Sequence, residues 1–191
     1  MNVIGIFLAA SLTDNVLLMR FLGLCPFIGM SADVNKSVGM GLAVTFVMVM
    51  ATAVTWPLYH FLLVPLELTF LQILVFILVI ASLVQLVEFF LKKNVPSLYA
   101  SMGIYLPLIT TNCAILAVTF DNISKGYGLL ESVVYAVGVA FGFLVAMVLM
   151  AGIRSRLRTA PVPKFLEGTP ILFAATSLLA TAFMGFSGLI K

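Results

Sequence analysis

The chain has 191 residues, 63% of them hydrophobic and 9% charged, with a mean hydropathy of +1.23 and a formal net charge of +3. A soluble domain is nearer half apolar and a quarter charged. A core of this size cannot hide so much apolar surface, which excludes a water-soluble enzyme, a nucleic-acid-binding domain and a disordered chain; the excess must face lipid.

A spanning helix needs about 20 apolar residues. Six such stretches follow in chain order. The first lies within Met1 to Leu24 and is interrupted by Thr13, Asp14 and Asn15. The second runs from Val38 to about Trp56 and Pro57, the third from Leu68 to Val87 and the fourth from Leu98 to Val118. The fifth runs from Leu129 to Ile153 and the sixth from Pro170 to Ile190. Runs that are apolar all round suit buried or lipid-facing helices, and the alternation of a transmembrane barrel is absent. The predicted fold class is all-α integral membrane protein, with short loops and no soluble domain.

Basic residues set the orientation. The loops after spans one, three and five hold Lys36, then Lys92 and Lys93, then Arg154, Arg156, Arg158 and Lys164. The other side holds Lys125 and Lys191, with Arg20 placed inside the first span. The basic side is therefore expected to be cytoplasmic, with both termini on the outer face. Arginines at a cytoplasmic membrane face account for the net charge without a nucleic acid.

Six spans divide into residues 1–96 and 97–191, and a three-span half reverses its orientation when repeated. A faint echo supports two inverted three-helix repeats. Cys25 is followed by Asp33, Lys36 and Gly39, and Cys113 by Asp121, Lys125 and Gly128. Each cysteine lies in an apolar stretch broken by glycine, proline or polar residues. The first break holds Gly23 and Pro26, the second Pro107, Thr110, Thr111 and Asn112. One such proline is commonly a plain helix kink. Two at matching places, beside the chain's only two cysteines, point to broken helices 1 and 4 lining a central site, because irregular backbone at membrane depth must be covered.

A lone cysteine in an apolar helix is usually a small hydrophobe. A metal centre with tetrahedral sulfur ligation usually takes four ligands. Two thiols and a single His60, at the end of the second span, cannot supply four. If Cys25 and Cys113 bind a metal, a second chain must complete the site. The remaining polar residues read mainly as structural. Glu88 can pair with Lys92, Glu131 suits a helix start, and Gln85 can bond a neighbouring helix. Asp14 is either a surface cap or part of an ion path. A stand-alone secondary transporter, built on inverted repeats, is the alternative function.

Three segments carry a family resemblance: Phe21 to Phe27, Gly103 to Ala114 and Ala182 to Leu189. Through them the chain resembles the A subunits of Rnf ion-translocating ferredoxin:NAD oxidoreductase complexes, over nearly its whole length. It is also similar to the E subunits of sodium-pumping NADH:quinone reductases. The resemblance implies a bacterial inner-membrane protein that carries electrons through a [2Fe–2S] cluster, coupled to Na+ or H+ movement. It implies that Cys25 and Cys113 are two of the four iron ligands, with Gly23, Pro26, Pro107, Thr110, Thr111 and Asn112 in support. The partner it implies is the Rnf E subunit, a homologous six-helix protein of opposite topology, beside the B, C, D and G subunits. Such a chain belongs to a translocating oxidoreductase and has no separate catalytic site of its own.

Overall fold

The computed structural model describes residues 3–65, 69–94, 107–161, 163 and 166–186. Among the described residues every regular element is helical. In chain order these are α1 (Val3–Leu8), extended by a wider turn at Ala9–Thr13, then α2 (Val16–Arg20) and α3 (Leu24–Met30). Next come α4 (Val34–Leu58), which continues through a second wide turn at Tyr59–Leu63, and α5 (Gln72–Asn94). After these lie α6 (Pro107–Thr110), α7 (Cys113–Ser124), α8 (Leu129–Leu157) and α9 (Thr169–Met184).

Among the described residues three helical stretches are long and apolar enough to cross a membrane: Val34–Leu63, Gln72–Phe90 and Leu129–Leu157. At 1.5 Å per residue even the 23-residue α5 is about 35 Å long, beyond a hydrocarbon core of about 30 Å. The second span is longer than its hydropathy suggested. It starts at Val34 rather than Val38 and passes Pro57 without ending. A wide turn at Tyr59–Leu63 begins two residues after this proline.

Packing orients the helices. Trp56 Nε1 donates to the Tyr127 carbonyl at 2.9 Å, so the end of α4 meets the start of α8. At the opposite end Arg154 Nη1 donates to the Ile28 carbonyl at 2.8 Å, and Arg158 donates to the Ala32 carbonyl at 3.3 Å. Helices α4 and α8 are therefore antiparallel, with Gly41 against Leu144 between them. Near its start α5 sets Phe76 edge-on to Phe120 of α7, at 5.7 Å between centroids. Lys92 and Lys93 thus return to the end that carries Lys36, Arg154, Arg156 and Arg158. The basic residues assigned to one side by sequence do gather at one end of the bundle; Lys164 lies outside the described residues.

The core is aliphatic and rich in methionine: Met30, Met40, Met48, Met147 and Met150 are all buried. By contrast Leu74, Leu78, Leu86 and Phe89 of α5 are exposed, as lipid-facing positions should be. Gln85 is exposed as well, on the face of α5 turned away from the described helices of this chain.

The first segment enters at the α8 start and stops half-way. A methyl group on Gly138 would lie 3.1 Å from Ala10 Cβ, and one on Gly142 only 2.6 Å from the Ser11 carbonyl oxygen. These two glycines let backbone approach backbone, the usual device for close helix contact in membranes. Gly142→Ala is expected to cost about 1–3 kcal/mol by overpacking. Gly152→Ala, with no atom within 4 Å of the added carbon, should hold or raise stability. Thermal unfolding of the two detergent-purified variants checks this contrast.

Candidate functional site

The interruption at Asp14 and Asn15 is a true break, and its chemistry is legible. Asn15 is the N-cap of α2, its Oδ1 accepting from Leu17 N at 3.1 Å and Leu18 N at 3.4 Å. Its Nδ2 donates to the Gly142 carbonyl at 3.0 Å. One buried side chain therefore satisfies a helix start and anchors the break to α8. The cap is Asn15 and not Asp14.

A second break follows at Phe21, Leu22 and Gly23. Phe21 ends α2 in the left-handed region at φ 54°, and Gly23 opens α3 at φ 84°. Glycine tolerates that conformation without strain; a side chain at Phe21 does not, and such strain marks a constrained site. The stretch predicted as the fourth span is interrupted at Thr111 and Asn112, between α6 and α7. Asn112 caps α7 by accepting from Ala114 N at 3.0 Å. Residues 98–106 of this span, and so the upstream part of the second motif, lie outside the described residues.

The two breaks meet. A methyl on Gly23 would fall 2.9 Å from Asn112 Oδ1, 3.3 Å from Ala114 Cβ and 3.2 Å from the Phe143 ring. Phe143 is the central residue of α8, with fourteen helical residues on either side. From this common level α3 runs toward the Arg154 end, and α7 runs toward the Tyr127 end. The half-helices diverge with their N-termini together, level with the middle of α8. Cys25 is the second residue of α3 and Cys113 the first residue of α7. Both are free thiols and both are exposed, although Gly23, Pro26 and Asn112 around them are buried.

The local polar groups fit a sulfur-ligated centre. No side chain caps α3. Pro26 occupies its first turn, where a missing N–H leaves no intrahelical bond unmade. Asn112 Nδ2 is buried without a hydrogen-bond partner, a donor held at the junction of the two breaks. The Cys113 thiol donates weakly to the Thr111 carbonyl at 3.8 Å. Thr110 is half-buried and Thr111 exposed beside it. Among the described residues no three His, Cys, Asp or Glu side chains cluster as a complete metal site. His60 is exposed and stacks on Trp56 at 4.3 Å, away from the thiols.

Sequence reasoning missed a charged cluster beside the site. Arg20 Nη1 donates to both Asp121 oxygens, at 2.8 and 3.1 Å, and Nη2 reaches Asp14 at 3.3 Å. Lys125 Nζ lies 3.7 Å from Asp14, and the Tyr135 hydroxyl donates to Asp121 at 2.9 Å. Asp14 is thus held by two cations. The only advance signal was a lone arginine in an apolar span. The echo between the halves is uneven here. Asp33 and Lys36 pair with each other at 3.3 Å, whereas Asp121 and Lys125 reach across to the first span. In the adjoining loop, burial pushes the Tyr127 phenol above its ordinary pKa, and the Glu131, Asp121 and Asp14 carboxylates add to it. Glu131 closes the α8 start as expected, accepting from Gly128 N at 3.1 Å.

Together these features define an all-helical membrane protein with two thiols at the meeting point of two broken helices. The family model described as Rnf-Nqr subunit, membrane protein, matches residues 3–190. The chain belongs to this family. It is 53% identical to the A subunit of the ion-translocating oxidoreductase complex of Syntrophotalea carbinolica, over 99% of this chain and 98% of the relative. It is 53% identical, over the same shares, to the A subunit of the Na(+)-translocating ferredoxin:NAD(+) oxidoreductase complex of Acetobacterium woodii. The A subunit of the proton-translocating ferredoxin:NAD(+) oxidoreductase complex of Clostridium ljungdahlii is 51% identical over 97% of this chain and 96% of its own length.

Asn15→Ala removes a helix cap and the tie to Gly142 together, so a loss of at least about 1–2 kcal/mol is expected in thermal or denaturant unfolding. Asn15→Ser, which can still cap, should recover part of that loss.

Proposed function

We propose that this chain is the A subunit of an ion-translocating ferredoxin:NAD oxidoreductase complex of a bacterial inner membrane. In this reading it carries electrons through a [2Fe–2S] cluster shared with a homologous partner, coupled to Na+ or H+ movement. The observation that carries it is the meeting of Gly23 and Asn112 beside Phe143, each directly upstream of one of the chain's two cysteines. Relatives that share half of its residues over almost their full length bear the corresponding names.

Cys25 and Cys113 are the two ligands this chain supplies, and the homologous E subunit supplies the other pair. Bound there, such a cluster accepts and donates one electron at a time. The chain's own residues prepare the place. Thiolates in a membrane interior are costly, and the N-termini of α3 and α7 bring partial positive charge and free N–H groups to offset them. Asn112 Nδ2 offers a hydrogen bond to a sulfur, the kind of contact that tunes a cluster's potential. The buried Phe143 and Ala114 pack against Gly23 beneath the two breaks, and the exposed thiols leave their outer side to the partner.

The opposite courses of α3 and α7 support two inverted repeats, residues 1–96 and 97–191. The gathering of Lys36, Lys92, Lys93, Arg154, Arg156 and Arg158 at one end supports a cytoplasmic face there and both termini outward. The B, C, D and G subunits complete the assembly.

The test is electron paramagnetic resonance of this chain co-purified with its homologous partner after reduction. The wild type is expected to give a [2Fe–2S] signal, and Cys25→Ala or Cys113→Ala to lose it. A full signal in the double variant contradicts the reading.

A further inference from the structure

The charged cluster around Arg20 lies outside the ligand set. It joins the two segments that carry the thiols. Arg20 lies three residues before Gly23 and five before Cys25. Its principal partner, Asp121, sits on α7, eight residues after Cys113. Nη1 alone contacts both Asp121 oxygens while Nη2 turns to Asp14, so the guanidinium bridges the two carboxylates. Asp121 is the less exposed member, at 16% of its side-chain area, and the buried Tyr135 hydroxyl from α8 completes its bonding. On the other side Arg20 reaches Asp14, at the first break, and Lys125 reaches the same carboxylate. Two carboxylates and two cations thus balance, with no net charge, around the strained turn at Phe21. Within the chain's own turn the Phe21 and Leu22 amides both donate to the Val16 carbonyl, the latter at 3.3 Å, but these bonds tie the turn to α2 and not to α7.

We infer that Arg20 is a positioning residue: by clamping the turn before Cys25 onto α7 through Asp121, it keeps the two thiols in register for a common cluster. This rests on the cluster reading above. The clamp acts on geometry. A simple electrostatic influence on the cluster would behave differently, and the two can be separated. Removing Arg20 takes away a positive charge, and removing Asp121 takes away a negative one. Through charge alone the two would move the midpoint potential in opposite directions. Through a lost clamp they act in the same direction on cluster retention and line shape.

The experiment uses the intact complex, with Arg20→Gln, Asp121→Asn, Arg20→Lys and the exchanged pair Arg20→Asp with Asp121→Arg. The readouts are the [2Fe–2S] paramagnetic line shape, the midpoint potential and the rate of cluster loss to an iron chelator. Both neutralising variants are expected to broaden the spectrum and speed cluster loss on the order of tenfold, as loss of a supporting contact around a metal site commonly does. The combined neutral variant should be no worse than either alone. Arg20→Lys or the exchanged pair should restore much of the wild-type behaviour. Wild-type line shape and retention in Arg20→Gln overturn the inference, as do opposite potential shifts with unchanged retention. Failure of both restoring variants overturns it too. Persistence of the signal in Cys113→Ala would instead contradict the cluster reading itself.

Discussion

Backbone amides and carbonyls at the middle of a bilayer have no water to bond, so a helix can be broken there only if protein supplies the missing partners. Most of this structure answers that constraint. Asn15 closes the first break and ties it to Gly142. Asn112 closes the third break, and its Oδ1 leaves room at the second only for a residue without a side chain, Gly23. Small residues on α8 admit the interrupted chain, and the aromatic ring of Phe143 covers the junction. Once the breaks are satisfied, two helix starts face one point from opposite directions. A thiol follows at once on each.

Much of this could be read from residues alone. The interruption at Asp14 and Asn15 is visible because polar residues inside an apolar run cost too much to be incidental. Gly23, Pro26 and the Thr111–Asn112 pair announce irregular backbone in the same way. The charge asymmetry of the loops anticipates which residues share an end, since it reflects insertion of the chain rather than its packing. What stayed hidden depends on contacts distant in sequence. The pair between Arg20 and Asp121 spans 101 positions, and neither residue alone reveals its partner. The choice of Asn15 over Asp14 as cap was equally hidden, because both residue types cap well. The face of α5 on which Gln85 lies was hidden for another reason: hydropathy locates a span but not which of its faces meets another helix.

The polar chemistry is divided by depth. Asp33, Lys36 and the arginines of α8 occupy one end, and Lys125, Tyr127 and Glu131 the other. The balanced Arg20 cluster, which includes Lys125, joins the second of these ends to the first break. In the proposed role this suits an insulated electron carrier, because the surroundings hold the thiols without offering a competing acid or base. Family membership and the names of relatives place the chain in an ion-translocating oxidoreductase family, in which an electron-carrying role is in keeping with the geometry.

The proposed half-site is open to quantitative paramagnetic resonance and iron analysis of the chain purified with its homologous partner and of the chain purified alone. A [2Fe–2S] cluster is expected in the pair and none in the chain alone. A full cluster retained by the isolated chain, or a pair without iron, would contradict it.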